Sequence, residues 1–221
     1  MGNKSKSLLA SLLITFAGVA SASGLYISGA SNITFSGYDA PPSTVTGVYS
    51  KGTLGTLMTD TAGTVTATYL GDESGYDNFF RFFSPSGTST LYEDSHTPST
   101  PVGTSISVTV NSGGVVPFMY KDNQGVSVTN GVPFVLSDYA TFAMLYKQSS
   151  DTAPRVYANS NLYGTFDFVI GFNDSAKVDA DYDDYVVGLK FAPSVVPLPA
   201  AAWLFGSALF GFITVSNRRK V

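Results

Sequence analysis

The chain has 221 residues, with 12 basic residues, 16 acidic residues and no cysteine. Lys4 and Lys6 lie near one end and Arg218, Arg219 and Lys220 near the other; every acidic residue lies between them, so the middle keeps 7 basic against 16 acidic residues, a net charge of −9. Such a middle is a poor nucleic-acid binder, because phosphate contacts need a basic surface, and the lack of cysteine excludes a Cys nucleophile, a thiolate metal site and c-type haem attachment.

Residues 1–22 read as a secretory signal peptide. Lys4 and Lys6 precede an apolar run from Leu8 to Ala20, and Ala20-Ser21-Ala22 supplies the small-residue cleavage pattern. Cleavage is expected after Ala22. Myristoylation at Gly2 is not expected, since Lys6 stands where that motif needs Ser or Thr.

Residues 23–192 read as one β domain, with no convincing helical period and clear alternation in several stretches. In "TVTATYL", Val65, Ala67 and Tyr69 share a face and the threonines share the other. "NFFRFFS" is apolar on both faces except at Arg81, the pattern of a central strand. In "TSISVTV", Ile106, Val108 and Val110 alternate with Ser105, Ser107 and Thr109. "ATFAMLYK" is a further strand. "TFDFVIGF" is predicted to place Phe166, Phe168, Ile170 and Phe172 on one face, and "DYVVGLKF" completes the series. Turn-forming clusters such as "APPS", "GDESGYDN", "SPSG", "HTPSTP", "NSGG", "KDNQG" and "NG" separate them. Short strands at this spacing predict an all-β fold, a jelly-roll-like β-sandwich of about 8–10 strands.

Two positions invite a chemical reading. His96 is the sole histidine, in a loop between Asp94 and two prolines, and the chain has no Gly-x-Ser-x-Gly elbow, so no catalytic residue is assigned. The acidic segment from Asn173 to Asp184 is richer. Asp174, Asp179, Asp181, Asp183 and Asp184, with Asn173, give six oxygen-bearing side chains in 12 residues. Calcium takes about six to eight oxygen ligands from a flexible loop, and crowded carboxylates repel one another unless a cation lies among them. Asp179-x-Asp181-x-Asp183 begins like an EF-hand loop, but Asp184 occupies the place of its turn glycine and Lys190 that of its last glutamate. Two readings fit: a calcium site at these five aspartates, or a solvated acidic turn that keeps neighbouring chains from pairing. Glu73, Asp77 and Asn78 are candidates to approach this segment in space.

The tail "VVPLPAAAWLFGSALFGFITVSNRRKV" carries Pro197 and Pro199, which stop helix, then an uncharged stretch from Ala200 to Val215 with Trp203 near its start. About 16 residues make about 24 Å of helix, short against the ~20 residues of a full span. Arg218, Arg219 and Lys220 place the end in the cytoplasm. Residues 193–199 thus read as an extended spacer and 200–221 as a single transmembrane helix with a basic end.

Val196-Pro197-Leu198-Pro199-Ala200, the apolar helix and Arg218-Arg219-Lys220 resemble the VPLPA variant of the PEP-CTERM sorting signal. The resemblance covers about the last 26 residues. It implies recognition by exosortase, a membrane peptidase that removes the helix, in a Gram-negative bacterium that makes extracellular polysaccharide. "IGFNDSAKVDADYDDYVVGLKF" is similar to a Gly-Phe-acidic-Asp … Asp-x-Asp-Tyr/Phe-x-Asp-x-Val pattern of exported bacterial β domains, and "TYLGDESGYDNFF" to a Gly-x-Glu-x-Gly-Tyr-x-Asn stretch in the same proteins. Neither similarity implies a reaction.

The expectation is therefore an exported, non-enzymatic structural or adhesive protein, held briefly at the inner membrane and then delivered to the cell surface or biofilm matrix. Its expected partners are exosortase, the membrane and extracellular polysaccharide, and its candidate cofactor is calcium. A carbohydrate-binding module is the alternative, with the 13 tyrosines as sugar platforms. A polysaccharide hydrolase would need two carboxyl groups about 5–9 Å apart across a cleft.

Overall fold

A computed structural model describes residues 24–35, 51–93, 98–133, 141–145, 157–159, 164–174 and 181–194. These form thirteen strands and no helix: β1 (Leu25–Thr34), β2 (Lys51–Thr59), β3 (Gly63–Gly71), β4 (Phe79–Ser84), β5 (Gly87–Tyr92), β6 (Ser105–Val110), β7 (Phe118–Lys121), β8 (Ser127–Thr129), β9 (Thr141–Leu145), β10 (Tyr157–Asn159), β11 (Gly164–Phe166), β12 (Phe168–Asn173) and β13 (Tyr185–Pro193). The signal peptide, residues 195–199 of the expected spacer and the C-terminal helix expected from sequence lie outside the described residues; Pro193, expected to open the spacer, instead ends β13, paired with Gly63, and the Ser194 N–H donates to the Ala62 carbonyl.

The strands assemble into two antiparallel sheets, one of seven strands in the order β1-β2-β9-β12-β13-β3-β6 and one of four in the order β5-β4-β7-β8, with a separate β10-β11 ribbon. The period-2 pattern decides which residues lie between the sheets. Val65, Ala67 and Tyr69 of β3 and Val108 and Val110 of β6 are buried together, with Ile106 packed against them. From the smaller sheet, Phe80 and Phe82 of β4 and Phe118 and Tyr120 of β7 enter the same core. Tyr120 stacks on Phe172 of β12 with ring centroids 4.9 Å apart and planes 5° from parallel, and Phe118 meets Phe142 of β9 edge-on at 5.1 Å. Such pairs add about 0.5–1.5 kcal/mol each beyond the area they bury. The structure is therefore two sheets packed face to face.

β4 is an interior strand of its sheet, as its two-sided apolar pattern predicts. Its outer face is only half-buried; there Arg81 lies 4.7 Å over the Phe79 ring and its Nε donates to Thr90 Oγ1 at 2.9 Å. The outer face of the seven-stranded sheet is covered over β2, β9, β12 and β13 by a second cluster, including Leu54, Leu145, Val169, Tyr182 and Val186.

One expectation is corrected. "TFDFVIGF" is not a single strand but breaks at Asp167 into β11 and β12. The Asp167 N–H donates to the Leu189 carbonyl at 2.8 Å, and its carboxylate accepts the Phe191 N–H at 2.7 Å. This side-chain bond replaces a rung of the ladder and turns the chain. Phe166 consequently joins the outer cluster, while Phe168, Ile170 and Phe172 face the inter-sheet core. The strand count also exceeds the expected 8–10, because β8, β10 and β11 are three residues each, too short for alternation to register.

Candidate functional site: the acidic end of the sandwich

Antiparallel register gathers distant acidic residues at one end. In the larger sheet, Phe172 pairs with Tyr185 and Val186 with Gly71, so Asp174, Asp184 and Asp72 follow or precede adjoining strand ends. In the smaller sheet, Phe79 pairs with both Tyr92 and Lys121. One step further out, Asn78 stands between Glu93 and Asp122. The Glu93 N–H donates to the Asn78 carbonyl at 3.1 Å. Phe80, Leu91 and Tyr120 face the core from the same three strands, so two residues along, Asn78, Glu93 and Asp122 face inward as well. All three are at most 1% exposed.

The Asn78 side chain spans the gap between the sheets. Its Nδ2 lies 3.3 Å from Asp174 Oδ2 and 3.4 Å from the Asp184 carbonyl oxygen. Ser74 donates its hydroxyl to the same Asp174 Oδ2 at 2.6 Å, and the Tyr76 N–H donates to Ser74 Oγ at 2.9 Å. The Asp184 carboxylate accepts the Asp174 N–H at 2.8 Å, closing the acidic segment on itself. Asp174 is buried, as are Asp181 and Asp183, while Asp184 is half-buried. Of the residues singled out in the sequence, Asp174, Asp184 and Asn78 are thus brought together. Glu73 is exposed. Asp179 and His96 lie outside the described residues, as do Ala20, Ala22, Val196–Ala200 and Arg218–Lys220.

Beside this cluster Tyr69 and Tyr185 stack at 4.8 Å, and the Tyr69 hydroxyl donates to Asp72. Burial pushes the Tyr185 hydroxyl well above the ordinary phenol range, with smaller contributions from Tyr69, Tyr120, Asp72 and Glu93. It is a neutral donor at physiological pH. Burial likewise raises Tyr120, whose hydroxyl donates to the Ile170 carbonyl at 3.2 Å. Tyr69, Tyr120, Tyr182 and Tyr185 are therefore core residues rather than sugar platforms; Tyr26 is exposed.

Among the described residues, no three acidic or histidine side chains converge as a metal-binding group. The oxygens that do converge are mixed in kind: carboxylate, side-chain amide, hydroxyl and backbone carbonyl. Sequence reasoning missed Ser74, Glu93 and Asp122. Asp122 stood in plain view in the "KDNQG" turn signal, and its Oδ1 does cap that turn by accepting the Val126 N–H at 2.8 Å. No protein-family model, curated protein or solved structure matches this chain.

Proposed function

We propose that this chain is an exported structural or adhesive protein of a Gram-negative cell surface or polysaccharide matrix, sorted through its tail by an exosortase. It acts as a scaffold or binder, not a catalyst, and its sandwich is of jelly-roll type. The observation that carries this reading is the ordered set at the C-terminus: Val196-Pro197-Leu198-Pro199-Ala200, an uncharged stretch to Val215, then Arg218-Arg219-Lys220. The leader with Lys4, Lys6 and Ala20-Ser21-Ala22 at the other end supports export. Leader and tail together need one membrane crossing, and the apolar stretch supplies it. An all-β body with a net negative charge suits a hydrated extracellular layer.

The test is the intact mass of the protein recovered from an exosortase-competent Gram-negative host. The expected product begins at Ser23 and has lost the segment from Ala200 to Val221. A mature protein that keeps that segment overturns the sorting reading.

A further inference from the structure

β6 ends the seven-stranded sheet on one side, with β3 as its neighbour, and among the described residues no strand pairs with its other side. The phase of the ladder decides which groups point there. The Tyr69 N–H donates to the Thr104 carbonyl at 3.0 Å and the Tyr69 carbonyl accepts the Gly103 N–H at 2.8 Å, so Tyr69 turns both its backbone groups toward the chain entering β6. Antiparallel bonds alternate along a strand. Ala67 and Val65 therefore exchange bonds with Ile106 and Val108, their partners in register, while Ser105, Ser107 and Thr109 turn their N–H and carbonyl groups away from the sheet. All three residues are exposed.

Proteins guard such edges with charge, proline, bulges or short strands, because an open edge pairs with another chain. The other edges of the two sheets are guarded. β1 is interrupted by a bulge between Ser28 and Ser31, β8 is three residues long, and on β5 the Tyr92 N–H is taken by Thr100 Oγ1 at 2.7 Å. β6 has six residues, "SISVTV", with neither charge nor proline. The face beside it is uncharged too: Thr66 and Thr68 meet Ser107 and Ser105, hydroxyl to hydroxyl, at 2.9 and 2.8 Å. The middle of the chain carries 7 basic against 16 acidic residues, a net charge of −9, so two copies repel at long range and approach best along an uncharged strip.

The strand is also complementary to itself. A two-fold axis through Ser107 sets Ser107 against Ser107 of a second copy and Ser105 against its Thr109, each pair exchanging both bonds because all three residues point outward. On the inner face Ile106, half-buried in the single chain, comes to lie opposite Val108 of the second copy. We propose that two copies of this chain associate by antiparallel pairing of β6 with β6 about Ser107, joining their larger sheets into one. The dimer does not depend on how the tail is sorted, so either reading can fail without the other.

The test is made on the full-length chain purified in detergent, with its mass in solution read by analytical ultracentrifugation. A dimer is expected. Ser107→Lys sets like charges opposite one another and should yield a monomer. Ser107→Pro should do the same with the melt little changed, because the N–H it removes makes no bond to β3. The chain has no cysteine of its own, so cross-linking can read the register. Ser107→Cys should form an intermolecular disulfide on oxidation, since bonded pairs have Cα atoms about 5.5 Å apart, inside the disulfide range of about 4.4–6.8 Å. Thr66→Cys, about 14 Å from its counterpart across three strand spacings, should not. A monomeric unaltered chain, including one that pairs with a strand of another protein instead, overturns the proposal. A dimer that survives both Ser107→Lys and Ser107→Pro is held by another surface, the tail included, and overturns it equally. Cross-linking at Thr66→Cys in preference to Ser107→Cys does the same.

Discussion

The Asn130 side chain holds the backbone of Leu57 at both its polar atoms: Oδ1 accepts the Leu57 N–H at 2.9 Å and Nδ2 donates to the Leu57 carbonyl at 2.8 Å. The same Nδ2 donates to the Val116 carbonyl at 2.8 Å. Leu57 lies in β2, whose pairing with β9 is confined to Gly52 and Thr53. Beyond those rungs the segment Gly114–Val116 lies beside β2, bridging Met58 through Val115 and donating the Val116 N–H to the Leu57 carbonyl at 3.0 Å, and the Asn130 amide following β8 bonds to both segments.

Asn130→Leu should therefore remove more than one bond. It leaves the buried Leu57 N–H without its acceptor, at a cost of about 1–3 kcal/mol, and takes one donor each from the Leu57 and Val116 carbonyls, which keep the N–H groups of Val116 and Phe118. The expected loss is about 2–4 kcal/mol in urea unfolding of the full-length chain. Asn130→Asp keeps the acceptor but turns a carboxylate oxygen toward the buried Leu57 and Val116 carbonyls, and should cost at least as much.

Gly171 in β12 lies directly under the chain entering β13. A Cβ there would fall on the Tyr182 carbonyl oxygen, a backbone atom that cannot swing aside. Gly188 in β13 faces the Phe166 ring, with a Cβ 2.6–2.7 Å from its carbons. Gly171→Ala should cost about 1–3 kcal/mol, in the range of overpacked cores, and lower Tm by about 2–4 °C per kcal/mol. Gly75→Ala, which meets nothing within 4 Å, should leave Tm unchanged.

Stability should fall in alkali. Burial raises Tyr120 and Tyr185 well above the ordinary phenol value and pushes Tyr182 up to about 12. A group whose folded pKa is raised contributes fully below its unfolded pKa, about 10 for Tyr, and loses that contribution as pH climbs through the folded value. Urea midpoints should be flat from pH 7 to about 9.5 and then drop between pH 10 and 12. Above pH 10 the slope should approach about 1.4 kcal/mol per pH unit for each fully buried phenol. Tyr185→Phe should flatten the drop at little cost near neutrality, because its hydroxyl has no hydrogen-bond partner among the described residues.

The tail yields a prediction of its own. On the proposed sorting reading, replacing Pro197 and Pro199 by alanine removes two helix-breaking residues and the Pro-Leu-Pro core of the motif. In an exosortase-competent host the doubly substituted protein should stay in the membrane fraction, beginning at Ser23 and keeping the segment from Ala200 to Val221. The unaltered protein should appear mainly outside it.

Much of this architecture is legible in the residues. Val65, Ala67 and Tyr69 alternate with threonines, and the structure buries those three, because one face of β3 looks into the core. Phe166 broke the same rule. Its spacing from Phe168 is right for a shared face, but the Asp167 carboxylate bonds to Phe191, 24 residues on, and periodicity carries no information about that contact. The acidic end was legible from one side only. Asp174 and Asp184 are near in sequence and could be grouped by eye. Asn78 is 96 residues from Asp174, and only the register of β4 against β5 and β7 brings it, Glu93 and Asp122 to the same place. Asn130 read as half of an Asn-Gly turn, and nothing local signals that its side chain bonds to the backbone of Leu57, 73 residues away.

β13 lies inside the larger sheet, flanked by β12 and β3, and its ladder with β3 continues to Pro193, with Ser194 donating to the Ala62 carbonyl at 2.9 Å. Residue 195 follows at once. A pull on the tail therefore runs along the axis of β13, across hydrogen bonds that lie perpendicular to it on both sides. Those bonds are loaded together in shear, where a domain suspended from an edge strand would unzip rung by rung. A load applied at residue 195 would therefore meet both ladders of β13 at once.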